Sequence, residues 1–178
     1  MINPFKYGRV VTGGDFADRE KEIEQLVNDL TSGQNIMLYS PRRYGKTSLI
    51  TRVFEILEEK NIMTSFIDLY GCMSVSDLVD KIIEKTVIPA QGTLEKVGDF
   101  LMKSFSNLRP EITLNPDGGI SVSCKKDAQV IGEEKILSQI LDAPEKLAAV
   151  KKKPIVVAFD EFQEISTMNE LKIEKTMR

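Results

Sequence analysis

The sequence predicts a three-layer α/β domain, a parallel sheet with helices on both faces. Short apolar runs at residues 35–39, 63–69 and 155–159 alternate with longer segments whose apolar residues recur at helical spacing. The runs are continuous, as in Ile155-Val156-Val157-Ala158-Phe159, rather than alternating with polar residues, which is the pattern of strands buried on both faces. At 178 residues, with 42% hydrophobic and 29% charged side chains, the chain suits one domain with a real core.

The elements follow in order. Residues 1–34 are a lead-in and a first helix. Residues 1–17 are irregular, Asp18 is placed to cap the helix, and Ile23, Leu26, Val27 and Leu30 make its buried stripe to about Thr31. Gly33 supplies the stop. Residues 35–39 read as the first buried strand. Leu49, Ile50, Val53, Phe54 and Leu57 share one side of a second helix, which ends near Lys60 and is followed by a strand over residues 63–69. Ser74-Val75-Ser76-Asp77 offers a capping box for a helix carrying Leu78, Val79, Ile82 and Ile83, with Pro89 as its stop.

Residues 90–131 are expected to hold another helix, from about Thr93 to Leu108, and a small β-hairpin insertion between Glu111 and Ser123. The hairpin turn is Asn115-Pro116-Asp117-Gly118-Gly119. Ile136, Leu137, Ile140 and Leu141 mark a further helix, and residues 142–145, with Pro144 near the start, begin a short one. Pro154 opens the last and most apolar strand, and a final helix takes residues 171–178. Lys151, Lys152 and Lys153 read as a solvated loop before that strand. No internal repeat or low-complexity linker interrupts the chain.

Composition excludes several classes. The absence of histidine removes imidazole metal sites, Ser-His-Asp triads and imidazole pH switching. A net charge of −3 and a pI near 5.2 give no global basic field, so direct nucleic-acid binding has no support. Cys72 and Cys124 lack C-x-x-C spacing and read as free thiols in a reducing compartment. The N-terminal Met-Ile-Asn-Pro-Phe-Lys has no signal-peptide core and no run nears membrane-spanning length, so the expected location is cytoplasmic, with no membrane partner.

Function is carried by two motifs. Ser40-Pro41-Arg42-Arg43-Tyr44-Gly45-Lys46-Thr47, followed by Ser48, lies between an apolar run and an amphipathic segment. That is the strand–loop–helix setting of a phosphate-binding loop. Gly45 permits close backbone approach, Lys46 brings positive charge toward the β- and γ-phosphates, and the Thr47 hydroxyl suits Mg²⁺. The helix N-terminus behind them favours an anion. Ser40 stands where the motif usually has glycine, which is tolerable at negative φ. Pro41 fixes its own φ and donates no N–H. Arg42 and Arg43 have two readings, contact with phosphate or a partner, or plain solvation. Tyr44 either shields the phosphates or packs on the sheet edge.

A Gly-Lys-Ser/Thr triplet arises by chance in about one chain in ten of this size, so the second motif decides. The strand at 155–159 ends in Asp160-Glu161, at the sheet edge where α/β proteins bind ligands. Asp160 is placed to hold Mg²⁺, directly or through water, and Glu161 to polarise the water that attacks the γ-phosphate. Asp68, at the end of the second strand, reads as a cap of the turn that follows it.

These stretches, with Phe159-Asp160-Glu161-Phe162-Gln163-Glu164-Ile165, resemble the archaeal-type P-loop ATPases of the AAA+/STAND superfamily, and the resemblance covers essentially the whole chain. Phe16-Ala17-Asp18-Arg19-Glu20, with Glu22 and Leu26, is similar to the element that borders the adenine in that group. The resemblance implies a P-loop ATPase domain over residues 1–178, using ATP and Mg²⁺. Ser40 to Ser48 would form the nucleotide cradle, with Lys46 and Glu161 catalytic and Thr47 and Asp160 at the metal; Val10, Val11 and the Asp18–Arg19 region would lie near the base. In such ATPases a sensor strand, a further strand and a helical lid follow the Asp-Glu strand, whereas eighteen residues follow Asp160 here. The expectation is therefore the N-terminal part of the ATPase domain, ending after the Walker B strand, its sheet completed by self-association or by a missing C-terminal half. The expected activity is ATP hydrolysis driving a conformational switch. The alternative is a regulatory or assembly module that binds nucleotide without hydrolysis.

Overall fold

The computed structural model describes residues 19–41, 44–105, 108–114, 120–126 and 133–167, with most of 108–126 and residues 133–134 described by backbone alone. The chain divides into two compact units, Met1–Thr64 and Ser65–Arg178.

In the first unit, helix α1 (Glu20–Thr31) packs on α2 (Lys46–Glu59). The predicted stripes face each other: Ile23, Leu26 and Val27 are buried on α1, and Leu49, Val53, Phe54 and Leu57 on α2. Each such side chain withdrawn from water contributes about 1.5–3 kcal/mol before entropy is counted. Arg19 occupies the cap position of α1, and Asp18 lies outside the described residues. Gly33 acts as the stop, at φ +78°, where its N–H reaches Leu30 O and the Gln34 N–H reaches Asp29 O. The same paired closure ends α2, with Asn61 at φ +63° and the Ile62 N–H on Leu57 O.

The first predicted strand does not form. Residues 34–41 belong to no ladder among the described residues. Their burial alternates: Ile36 and Leu38 are half-buried, while Met37 is 65% and Tyr39 87% exposed. Apolar content makes a segment suitable for a strand, but only a neighbour's N–H and C=O groups make it one.

The second unit is helix-rich around a small parallel sheet. Strand β1 (Met63–Asp68) pairs with β4 (Ile155–Asp160), and beyond their ends the Leu69 N–H donates to Asp160 O at 3.1 Å. Helix α3 (Val75–Ile82) starts at the predicted capping box: Ser74 Oγ accepts from the Asp77 N–H, and Asp77 Oδ2 from the Ser74 and Met73 N–H groups. These two bonds to Asp77, above all the one from Met73, hold its carboxyl below the usual range.

Pro89 does not end this helix. A π-helical turn (Ile83–Val87) leads directly into α4 (Ile88–Gln91), with Pro89 in the first turn of α4 and Gly92 at φ +76° closing it. Lys85 O, four residues before the proline and the acceptor an N–H at position 89 would seek, takes the Ser65 hydroxyl at 3.0 Å. Ser65 also meets Thr86 Oγ1 at 2.8 Å, so a buried polar contact between β1 and the π turn steadies the break in helical register.

Helix α5 (Leu94–Ser104) ends before the predicted Leu108, because residues from Leu108 onward belong to a hairpin. Phe105 folds back instead, edge-on to Phe100 and beneath Lys146 Nζ. The hairpin, β2 (Leu108–Leu114) with β3 (Ile120–Lys126), is longer than the pattern suggested and runs in register from Leu108↔Lys126 to Leu114↔Ile120. Its predicted turn at 115–119 lies outside the described residues, as does the final helix at 171–178.

Helices α6 (Glu133–Leu141) and α7 (Ala143–Lys151) follow, α7 exceeding the short helix expected. Lys152 and Lys153 are exposed after it, as anticipated, and Lys151 ends the helix. The core of this unit gathers Ile67, Leu78, Ile82, Leu101, Leu137 and Leu147. Strand β4, the most apolar in the sequence and expected to be covered on both faces, is only half-buried along its whole length, since among the described residues it has a neighbour on one edge only.

Candidate functional site

The phosphate-loop residues lie on one continuous stretch of the first unit. Pro41 O accepts the Tyr44 N–H at 3.3 Å, and Gly45 at φ +73° caps α2 in the left-handed conformation that glycine adopts without strain. Helix α2 begins at Lys46, with no side-chain cap and no acidic residue in its first turn. The first bond in its ladder joins the Leu49 N–H to Gly45 O at 2.9 Å. A helix opening normally gathers carboxylates or a capping oxygen, because its N–H groups carry partial positive charge. Here Lys46 adds to that positive field, an arrangement suited to an anionic ligand.

Lys46 and Thr47 are half-buried, and Ser48 is buried. Ser40 is not left-handed, so a side chain at that position costs nothing. Tyr44 is 67% exposed, which excludes packing on a sheet edge within its unit. Arg42 and Arg43 lie outside the described residues, as do Val10 and Val11.

Arg19, expected only in the element bordering the base, also contacts the loop. Arg19 forks onto Glu22, Nε to Oε2 at 2.7 Å and Nη2 to Oε1 at 2.6 Å, and its Nη1 donates to Tyr44 O at 3.1 Å. The start of α1 thereby grips the loop just before its glycine. The i, i+3 spacing of Arg19 and Glu22 was visible, but the third bond, to a carbonyl 25 residues on, was not.

In the second unit Asp160 and Glu161 close β4. Asp160 Oδ1 accepts the Glu161 N–H at 2.9 Å. Glu161 takes φ +52°, a left-handed backbone that costs a side-chain-bearing residue about 1–2 kcal/mol. The turn offsets that strain, because Glu161 O accepts the Glu164 N–H at 2.9 Å and Glu161 Oε2 accepts the Gln163 side-chain amide. Asp68 ends the neighbouring β1 and caps its turn as expected, through the Tyr70 N–H at 2.8 Å. Lys81 Nζ reaches Asp68 O and Tyr70 O, tying the loop down above Cys72, whose thiol burial pushes up.

Thr47 in the first unit carries a hydroxyl and Asp160 in the second a carboxylate, oxygen donors of the kind Mg²⁺ takes. Among the described residues no three His, Cys, Asp or Glu gather as a cage. Mg²⁺ does not need one, because it keeps waters and substrate phosphates among its ligands. No described helix is long and apolar enough to cross a membrane.

A family model for an ATPase domain predominantly from Archaea matches residues 16–175. No curated protein and no solved structure matches the chain. With that match spanning nearly all of its length, and a left-handed glycine leading Lys46 and Thr47 into a helix, the chain belongs to the family of ATPase domains found predominantly in Archaea.

Proposed function

We propose that the chain is an ATP-binding P-loop ATPase domain of the AAA+/STAND type, with the three-layer sheet of that group, hydrolysing ATP to drive a conformational switch. The observation that carries this is the opening of α2, a left-handed glycine followed by a lysine at a helix N-terminus with no cap of its own. Backbone N–H groups and Lys46 hold the phosphates, and Ser40 to Ser48 form the cradle. Thr47 and Asp160 would hold Mg²⁺, which would supply charge neutralisation at the phosphate oxygens.

Glu161 takes a proton from the attacking water as the water oxygen bonds to the γ-phosphorus. The bond from that phosphorus to the bridging oxygen breaks, and its electron pair leaves with ADP. The α1 start, held to the loop by Arg19, borders the base. The location proposed is the cytoplasm, and the proposed partner is a second copy or a further segment that completes the sheet.

At about 100 times its dissociation constant, MgATP raises stability by about 2.7 kcal/mol. For a chain of this size that is about 5–10 °C in melting temperature. Lys46→Ala should abolish the shift, and Glu161→Gln should keep it while losing phosphate release. A full shift in Lys46→Ala refutes the reading. A second reading, nucleotide binding for assembly without hydrolysis, draws on the half-buried β4 and on segment 34–41, which joins no ladder among the described residues. Phosphate release at saturating MgATP separates the two.

A further inference from the structure

Strand β4 does not simply stop after Asp160; it turns into a short, fixed device. The 3₁₀ turn Phe162–Thr167 is anchored at both ends: the Phe162 ring lies edge-on to Phe159 at 6.4 Å, and Ile165 is buried at 3% exposure. Between those anchors Gln163 is exposed, yet its amide Nε2 donates back to Glu161 Oε2. Glu161 can meet it because φ +52° turns this residue out of the strand direction, and the Glu164 N–H on Glu161 O locks the turn at 2.9 Å. The Glu161 carbonyl and carboxylate are thus both held by the three residues after it, and its N–H by Asp160.

A surface amide two residues from a carboxylate adds little to folding, since water would serve both groups as well. It does fix where the carboxylate points. A donor on one oxygen stops rotation of the carboxylate and leaves the other oxygen as an acceptor. A neutral amide does this without the charge neutralisation that a lysine or arginine would bring. We propose that Gln163 is the positioning residue for Glu161, holding its carboxylate in the orientation from which it takes the proton of the attacking water. This rests on the reading of Glu161 as the general base.

The test uses the whole chain, with MgATP as substrate. Gln163→Met keeps length and removes the donor. It should lower kcat about 10- to 100-fold, the penalty of a misplaced catalytic group. KM for MgATP and the melting temperature should stay at wild-type values. Added to Glu161→Gln, it should cause no further loss, because the two residues act as one unit. In nucleotide-free protein labelled with ¹⁵N-glutamine, the Gln163 side-chain amide resonance should move in Glu161→Gln, which replaces an anionic acceptor with a neutral one. Wild-type turnover with an unchanged kcat in Gln163→Met overturns the positioning role alone, as does an unmoved amide resonance. A parallel rise in KM also overturns it, by showing a binding effect. Absence of wild-type phosphate release overturns the hydrolysis reading and the role built upon it.

Discussion

Gly45→Ala measures whether the phosphate loop has the backbone described for it. Gly45 sits at φ +73°, ψ +25°, in the left-handed region. An added Cβ would meet Arg19 Nη1 at 3.8 Å, an ordinary contact, so no clash enters the sum. What remains is the left-handed penalty of about 1–2 kcal/mol for a side-chain-bearing residue. Against it stands about 0.4–1 kcal/mol gained because alanine restricts the unfolded chain. The net expectation is a loss of about 0.5–1 kcal/mol, or about 1–4 °C in melting temperature for a chain of this length. Urea denaturation followed by circular dichroism should show the midpoint fall with an unchanged slope. Gly45→Asn is the companion, since asparagine tolerates this region and should recover part of the loss. Gly45→Ala as stable as the wild type, or Gly45→Asn worse than Gly45→Ala, would refute the left-handed cap and with it the stated geometry of the loop.

Ser65→Ala should cost about 1–3 kcal/mol in a denaturant melt, because Lys85 O and the Thr86 hydroxyl lose a partner where water cannot replace it. Asp77→Ala should cost about 1 kcal/mol at neutral pH through loss of the capping box. Its carboxyl is held below the usual range when folded, so its contribution is complete above the unfolded pKa and fades as pH falls through the folded one. The gap between wild type and Asp77→Ala should therefore close below about pH 4, as read from melts across an acid series. Arg19→Lys retains charge but not the fork, and should weaken MgATP binding several-fold in calorimetry. Stability should change by less than about 1 kcal/mol, because the Arg19–Glu22 pair is partly solvated.

The features legible in the sequence are those whose partners lie within a turn or two of chain. The stripes of α1 and α2, the Gly33 stop and the Ser74–Asp77 box each depend on neighbours three to five residues away, and each formed where the pattern put it. Asp68 belongs with them, since a strand-end aspartate needs only the N–H two residues on. Where the partner is distant, local pattern misleads. Pro89 has every sign of a helix stop, and the Lys85 carbonyl that its missing N–H leaves open is taken by a serine hydroxyl 20 residues before that lysine, on a strand. The α5 end moved for a similar reason, because pairing with Lys126 placed Leu108 in the hairpin.

The candidate site obeys the same rule, and this explains which parts of it were found. Gly45, Lys46 and Thr47 were legible because their chemistry follows from consecutive N–H groups at one helix end, a wholly local arrangement. Asp160 and Glu161 were legible as a strand end, again locally. What could not be read was orientation. Nothing about a glutamate announces a left-handed backbone, since the conformation costs energy and persists only where surrounding bonds hold it. Those bonds come from Glu164 and Gln163, which entered the sequence reading only as part of the motif that carries the family resemblance. Arg19 is the parallel case in the first unit, an apparent helix-start arginine whose third donor fixes Tyr44 O and so the approach to Gly45. In both places the sequence names the candidate group, while the residue bonded beside it is disclosed only by a hydrogen bond in the structure.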